Sequence, residues 1–152
     1  MKIIWLGKSK QRFIEEGYKE FTKRISRFAK LKLVELSDVK LSGSNNVDIV
    51  KEKEADIILK NLKQTDYVIA LDETGKQYSS VDFARFLDKQ MGKGEIVFII
   101  GGVYGLHKSV KQRANLTLSF SQFTFTHQMI RMILTEQIYR AFTIIHGKKY
   151  HY

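Results

Sequence analysis

The stretch with the clearest capacity for chemistry runs from Glu95 to His107. Five apolar, β-favouring residues, Ile96 to Ile100, end on Gly101-Gly102, and Gly105 follows three positions later. A run without alternation is how a strand covered on both faces reads. Glycines directly after it let the backbone turn sharply and let a ligand approach where no Cβ intrudes. In open parallel sheets ligands sit just outside the carboxyl ends of the strands, where this turn would lie. The same glycines would also serve a plain tight turn, and the stretch alone leaves both readings open.

Other chemistries are disfavoured by what is missing. Gly-Gly-Val-Tyr-Gly lacks the spacing of a dinucleotide fingerprint, and no Lys-Ser or Lys-Thr follows glycines at the spacing a Walker loop requires. The four histidines (His107, His127, His146, His151) lie far apart, no His-Glu-x-x-His is present, and there is no cysteine. No metal site is therefore expected. The Gly-x-Ser-x-Gly elbow of a serine nucleophile is absent too. What remains is a site built of backbone. Three candidate strand ends would supply it: Leu71 with Asp72 to Gly75, Ile100 with its glycines, and Ser119 with the run Phe120 to Phe125. Main-chain donors and acceptors between apolar walls suit an uncharged heterocycle such as adenine. The alternating Ser/Phe/Thr run reads equally well as an edge strand.

The elements that must position these loops alternate. Strands are expected at Lys2 to Leu6, Leu31 to Leu36, Tyr67 to Leu71, Ile96 to Ile100 and Leu116 to Phe120. Between them, Ile14, Tyr18, Phe21, Ile25 and Phe28 mark one face of a helix over Lys10 to Phe28. Val47 to Leu62, a segment starting at Ser79, and His107 to Ala114 read as further helices, and Ser37 to Asn46 as a mobile loop. Alternating strands and helices predict a parallel α/β sheet in a single domain, residues 1–152.

The last helix is expected from Thr126 to Ile145, stopped at Gly147. Ile130, Leu134, Ile138, Ala141 and Ile145 form one stripe, and Met129, Met132, Ile133, Tyr139 and Phe142 leave little of the rest polar. Such a helix needs cover on two sides, which predicts a homodimer. A charge at Leu134 or Ile138 would then part the copies, provided those side chains face the partner.

The net charge is +10, and Lys19, Lys23, Arg24 and Arg27 share one face of the first helix, with Lys30 and Lys32 just beyond. That face is either a solvated surface or a phosphate-contacting one. No apolar run approaches the ~18 residues of a membrane span, and the apolar start is too short for a signal peptide, so a cytoplasmic location is the default expectation.

Taken together, Leu71-Asp72-x-x-Gly75-Lys76, Phe98-Ile99-Ile100-Gly101-Gly102-x-x-Gly105-Leu106 and Leu118-Ser119-Phe120-Ser121-x-Phe123-Thr124-Phe125-x-His127-Gln128 occur in this order. Arg131, Glu136-Gln137-x-Tyr139-Arg140-Ala141 and a final Tyr150-His151 follow. The combination resembles the RlmH family, bacterial pseudouridine N3-methyltransferases of large-subunit rRNA in the SPOUT superfamily. The resemblance implies a SPOUT fold with a C-terminal trefoil knot and a homodimer whose site borrows from both subunits. It implies S-adenosyl-L-methionine as cofactor, held by Leu71, Gly101 and Phe120, Ser121, Gln122, Phe123, Thr124 and Phe125. It implies as substrate a pseudouridine in helix 69 of 23S rRNA, within the assembled ribosome. Two departures stand out: Thr126 replaces the proline usual before the family's histidine, and the tail Gly147-Lys148-Lys149-Tyr150-His151-Tyr152 lacks both proline and a final basic residue.

For catalysis the resemblance points to His151 as proton acceptor or orienter and Tyr150 as stacking or hydrogen-bonding partner. Arg131 and Arg140 would contact phosphate or a carbonyl. Either arginine could instead pair with Glu136, and His127 could merely fix the loop. Two other functions stay open: a SPOUT methyltransferase acting on tRNA, and a non-catalytic ribosome-binding factor.

Overall fold

The computed structural model describes residues 1–41 and 46–150; the loop reading of residues 42–45, and His151 and Tyr152, lie outside the described residues. The elements follow in the order β1 (Lys2–Leu6), α1 (Arg12–Ile25), β2 (Lys32–Leu36), α2 (Val47–Leu59), β3 (Tyr67–Lys76), α3 (Ser80–Gln90), β4 (Ile96–Ile100), α4 (Lys108–Arg113), β5 (Leu116–Leu118) and α5 (Met129–Ile145). All strand pairings are parallel, in the order β2-β1-β4-β3-β5. Every strand therefore ends on the same edge of the sheet.

Side-chain alternation sorts the strands between two cores. Ile3, Trp5, Ile96, Phe98 and Ile100 pack with α1, α3 and α5 on one face. Ile4, Leu6, Val97 and Ile99 pack with α2 and α4 on the other. β4 lies at the centre and all five of its residues are buried, which is why its sequence shows no polar alternation.

Several boundaries differ from the sequence reading; at β3 the reason is tertiary, and at β5 and α5 a local hydrogen bond marks the end. β3 runs on through Asp72 to Lys76, where a polar turn is expected, because Lys76 pairs with Leu118 of β5 after a register shift. The two backbones meet closely here: a Cβ on Gly75 would lie 2.7 Å from backbone atoms of Thr117 and Leu118. β5 stops at Leu118, where the Ser119 hydroxyl donates to the Ser121 carbonyl at 2.8 Å and turns the chain aside. α5 begins at Met129, while Thr126 Oγ1 accepts the Met129 N–H at 3.1 Å and caps the turn before it.

The cover of α5 is also decided within the chain. α5 lies against α1 and α3, and Leu134 and Ile138 are fully buried in the core beneath it. This corrects the expectation that these two side chains report on a dimer. An unpaired carboxylate at either position costs roughly 4 kcal/mol or more, a large share of a typical 5–15 kcal/mol stability. Such a charge would unfold the chain rather than separate two copies.

Candidate functional site

The carboxyl edge of the sheet carries a cleft of about 690 Å³. Its walls come from the ends of β3 (Leu71, Asp72, Glu73), β4 (Ile100 to Leu106) and β5 (Leu118 to Ser121), and from residues 123–128 with Ile130. The three strand ends expected from the sequence thus share one space. Gln11, Tyr104, Thr126, His127 and Gln128 join them; of these, sequence reasoning had not placed Gln11 at the site. Gln11 belongs there because β1 is the sheet neighbour of β4, a fact of strand order rather than of local pattern.

The glycine turn is built by its own close contacts. Gly105 takes φ +77° and its N–H donates to the Gly102 carbonyl at 3.2 Å. A Cβ on Gly101 would lie 2.8 Å from Gly105 C and 3.0 Å from Leu106 N. The absent side chain therefore makes room for the loop itself, not directly for a ligand. Across the cleft, the Ser121 hydroxyl accepts the Phe123 N–H at 3.0 Å, which folds residues 121–123 into a tight turn. Gln128 Oε1 accepts the Lys10 N–H at 3.0 Å and ties the entry to α5 to the β1–α1 connection.

Of the cofactor-contact candidates, Leu71, Gly101, Phe120, Ser121, Phe123, Thr124 and Phe125 line the cleft. Gln122 is exposed and lies outside the lining, because the tight turn at Ser121 takes it away from the wall. Asp72 is fixed by Lys111 and by the Thr74 hydroxyl at 2.6 Å. Burial works to raise its pKa, but these partners outweigh burial and hold the carboxyl below its ordinary value. For His127, burial first, then the charges of Arg131 and Lys10, push the imidazole below its ordinary pKa against a weaker pull from Asp38. The ring is neutral at pH 7 and has a nitrogen free to accept a proton.

Of the described catalytic candidates, Arg140 and Tyr150 meet, and Arg131 is held elsewhere. Arg131 is fully buried: Nη2 donates to the Leu6 carbonyl at 2.7 Å, Nη1 to Ser9 Oγ at 2.9 Å and Nε to the His127 carbonyl at 3.2 Å. Its guanidinium lies over the Trp5 ring, 5.1 Å from the centroid. Arg131 therefore holds the end of β1 against the start of α5 and cannot reach phosphate, nor does it pair with Glu136; this corrects the role expected of it. Arg140 bonds Glu136 through Nε at 3.0 Å and lies over the Tyr150 ring, while the Tyr150 hydroxyl donates to Glu136 Oε1 at 3.1 Å. Burial, then Glu136, raises the Tyr150 pKa. Arg140 lies ten residues beyond Ile130 on α5, about 15 Å along the helix at 1.5 Å per residue. The Arg140–Tyr150 group does not line the cleft of its own chain. His151 lies outside the described residues.

Among the described residues no group of three or more side chains is placed to hold a metal ion, and no helix is long and apolar enough to cross a membrane.

Comparison with known proteins follows the same outline. The family described as "Predicted SPOUT methyltransferase" matches residues 1–151. The chain is 46% identical to ribosomal RNA large subunit methyltransferase H of Caldicellulosiruptor saccharolyticus, over 99% of each chain. It is 45% identical to the protein of the same name from Streptococcus uberis, over 99% of this chain and 98% of the other. In structure it is similar to the tRNA (m1G37) methyltransferase of Aquifex aeolicus, with TM-score 0.54 and 13% identity over 92% of this chain and 69% of that one; a likeness at that identity speaks for the fold alone. Its sheet, its cleft-lining loops and its end-to-end match with these relatives make this chain a member of the SPOUT methyltransferase family.

Proposed function

We propose that the protein transfers a methyl group from S-adenosyl-L-methionine to N3 of a pseudouridine in helix 69 of 23S rRNA, on the assembled ribosome in the cytoplasm. The observation that carries this is the cleft: Leu71, Gly101 and five residues of the 120–125 run, far apart in sequence, line one space in a chain 46% identical to a ribosomal RNA large subunit methyltransferase H. The cofactor fits the residues present. Backbone groups of three loops offer donors and acceptors to a heterocycle, and Leu71, Ile100, Leu106 and Leu118 supply the apolar walls. When bound, it supplies a methyl group on a sulfonium and leaves as a neutral thioether.

The residues of the chain have two tasks. N3–H of the target base lies between two carbonyls, so its anion is delocalised and a mild base suffices. A neutral histidine accepts that proton as the N3 lone pair takes the methyl carbon. We assign this to His151, with His127 second because it lines the cleft in its neutral form. The larger task is to hold the nitrogen in line with the methyl, and Tyr150, kept in place by Glu136 and Arg140, is suited to position the base.

Because Tyr150 does not line the cleft of its own chain, we take the site to be complete only in a homodimer, together with the C-terminal trefoil knot that the resemblance implies. Large exposed apolar side chains on the cleft rim, Val103, Tyr104, Phe123 and Phe125, support such an interface. Phe123 is 81% exposed and has no part in the core. Phe123→Asp is therefore expected to give a folded monomer by light scattering at micromolar concentration, where the wild type is a dimer. A monomeric wild type would count against the arrangement.

The function itself is tested by methyl transfer from labelled cofactor to whole ribosomes, free rRNA and tRNA, with mass mapping of the modified nucleoside. Label confined to one pseudouridine of ribosomal 23S rRNA is the expected result. Label on tRNA, or no transfer by a protein that binds ribosomes, would replace the proposal by the corresponding alternative.

A further inference from the structure

The cations of α1 are not spread evenly along it. Arg12 pairs with Glu16, Lys19 with Glu15 and, in the last turn, Arg24 with Glu20. Beyond that the helix has no acidic residue left. Lys23, Arg27 and Lys30 are exposed and make no ion pair among the described residues. This end of α1 is docked on the end of α5: the Phe28 ring stacks on Phe142 at 5.8 Å and meets His146 at 4.8 Å. Lys148 and Lys149, both exposed, follow at once.

Between these cations runs a line of rings and guanidinium planes. The Arg24 guanidinium lies 5.7 Å from the Tyr139 centroid, Tyr139 meets Tyr150 edge-on at 4.7 Å, and Arg140 covers Tyr150 at 5.0 Å. The two acids within this corner, Glu20 and Glu136, are already bound by Arg24 and Arg140. The large exposed apolar residues lie elsewhere, at positions such as Phe13, Val103 and Phe123.

We propose that this corner, where the end of α1 meets the C-terminal turn of α5, binds the RNA strand and leads it to the tail. The inference rests on the methyltransferase reading above and adds the surface by which the substrate is held. Exposed cations so close in sequence, without ion pairs among the described residues, suit phosphates, and aromatic and guanidinium planes suit unstacked bases. A protein partner would call for large exposed apolar side chains at the centre, and among the described residues these lie elsewhere. α5 is 17 residues long, about 25 Å, so RNA held here presents its target to the cleft of a second subunit.

The test uses the full-length protein with Lys23→Gln, Arg27→Gln and Lys30→Gln combined. Lys53→Gln with Lys60→Gln on α2, across the sheet, is the control. Binding of a short labelled RNA stem-loop is followed by fluorescence anisotropy from 50 to 300 mM salt, cofactor binding by calorimetry, and methyl transfer on ribosomes by kinetics. Loss of three phosphate contacts should flatten the log–log salt slope by about 2, at roughly 0.7 per contact for single strands. It should also raise the KM for ribosomes at least tenfold, with cofactor affinity within twofold of wild type. An unchanged slope, or an equal change in the α2 control, would overturn the proposal. RNA binding like wild type with loss of ribosome binding would identify a ribosomal protein as the partner and overturn it too. If wild-type protein methylates nothing on ribosomes, the functional reading fails, whereas the salt-slope comparison still decides whether the corner binds RNA.

Discussion

Gly101→Val is expected to leave a folded protein that no longer holds its cofactor. The first carbon of the new side chain would lie 2.8 Å from Gly105 C and 3.0 Å from Leu106 N, both backbone atoms that cannot swing aside. The loop from Gly101 to Leu106 must therefore open, and it forms one wall of the cleft. Overpacking of this kind costs about 1–3 kcal/mol, against the 5–15 kcal/mol that holds a typical domain together. Circular dichroism should show native secondary structure, and calorimetry should show S-adenosyl-L-methionine affinity reduced at least a hundredfold. Native affinity in this variant would mean that the glycine turn is no part of the cofactor site.

Deleting residues 150–152 is expected to remove turnover and spare nearly everything else. The deletion takes away Tyr150, whose hydroxyl donates to Glu136 and whose ring packs on Tyr139. An aromatic pair and an exposed hydrogen bond are together worth roughly 1–2 kcal/mol. At about 2–4 °C per kcal/mol for a chain of this size, Tm should fall by only several degrees. Cofactor affinity should stay within twofold, because Tyr150 is not part of the cleft lining of its own chain. Methyl transfer to ribosomes should drop about a hundredfold or more, the scale of lost positioning and acid–base help. His151→Ala should reproduce part of the loss. A truncated protein that methylates at the wild-type rate would leave the tail without a catalytic part, and His127, already neutral in the cleft lining, would take its place.

The sequence by itself determined the elements and most of the cleft's walls. Ile96 to Ile100 could only be a covered strand, since five consecutive apolar residues leave no face for water, and all five are buried. Gly101 followed as a backbone requirement, and Thr126, where the family has proline, accepts the Met129 N–H. These are local facts, set by periodicity and by what a Cβ permits. What only the tertiary structure decided depends on which strands become neighbours. Strand order brought Gln11 to the cleft, and pairing with β5 turned an expected loop at Asp72 to Lys76 into strand. Arg131 reads in sequence as a mobile cation on a helix. It is instead enclosed because Leu6, Ser9 and Trp5, more than a hundred residues earlier, surround its guanidinium with acceptors and a ring face. Leu134 and Ile138 show the same limit: hydrophobicity tells that a side chain is covered but not by what, and the cover here is the protein's own core beneath α5, with α1 and α3 beside it.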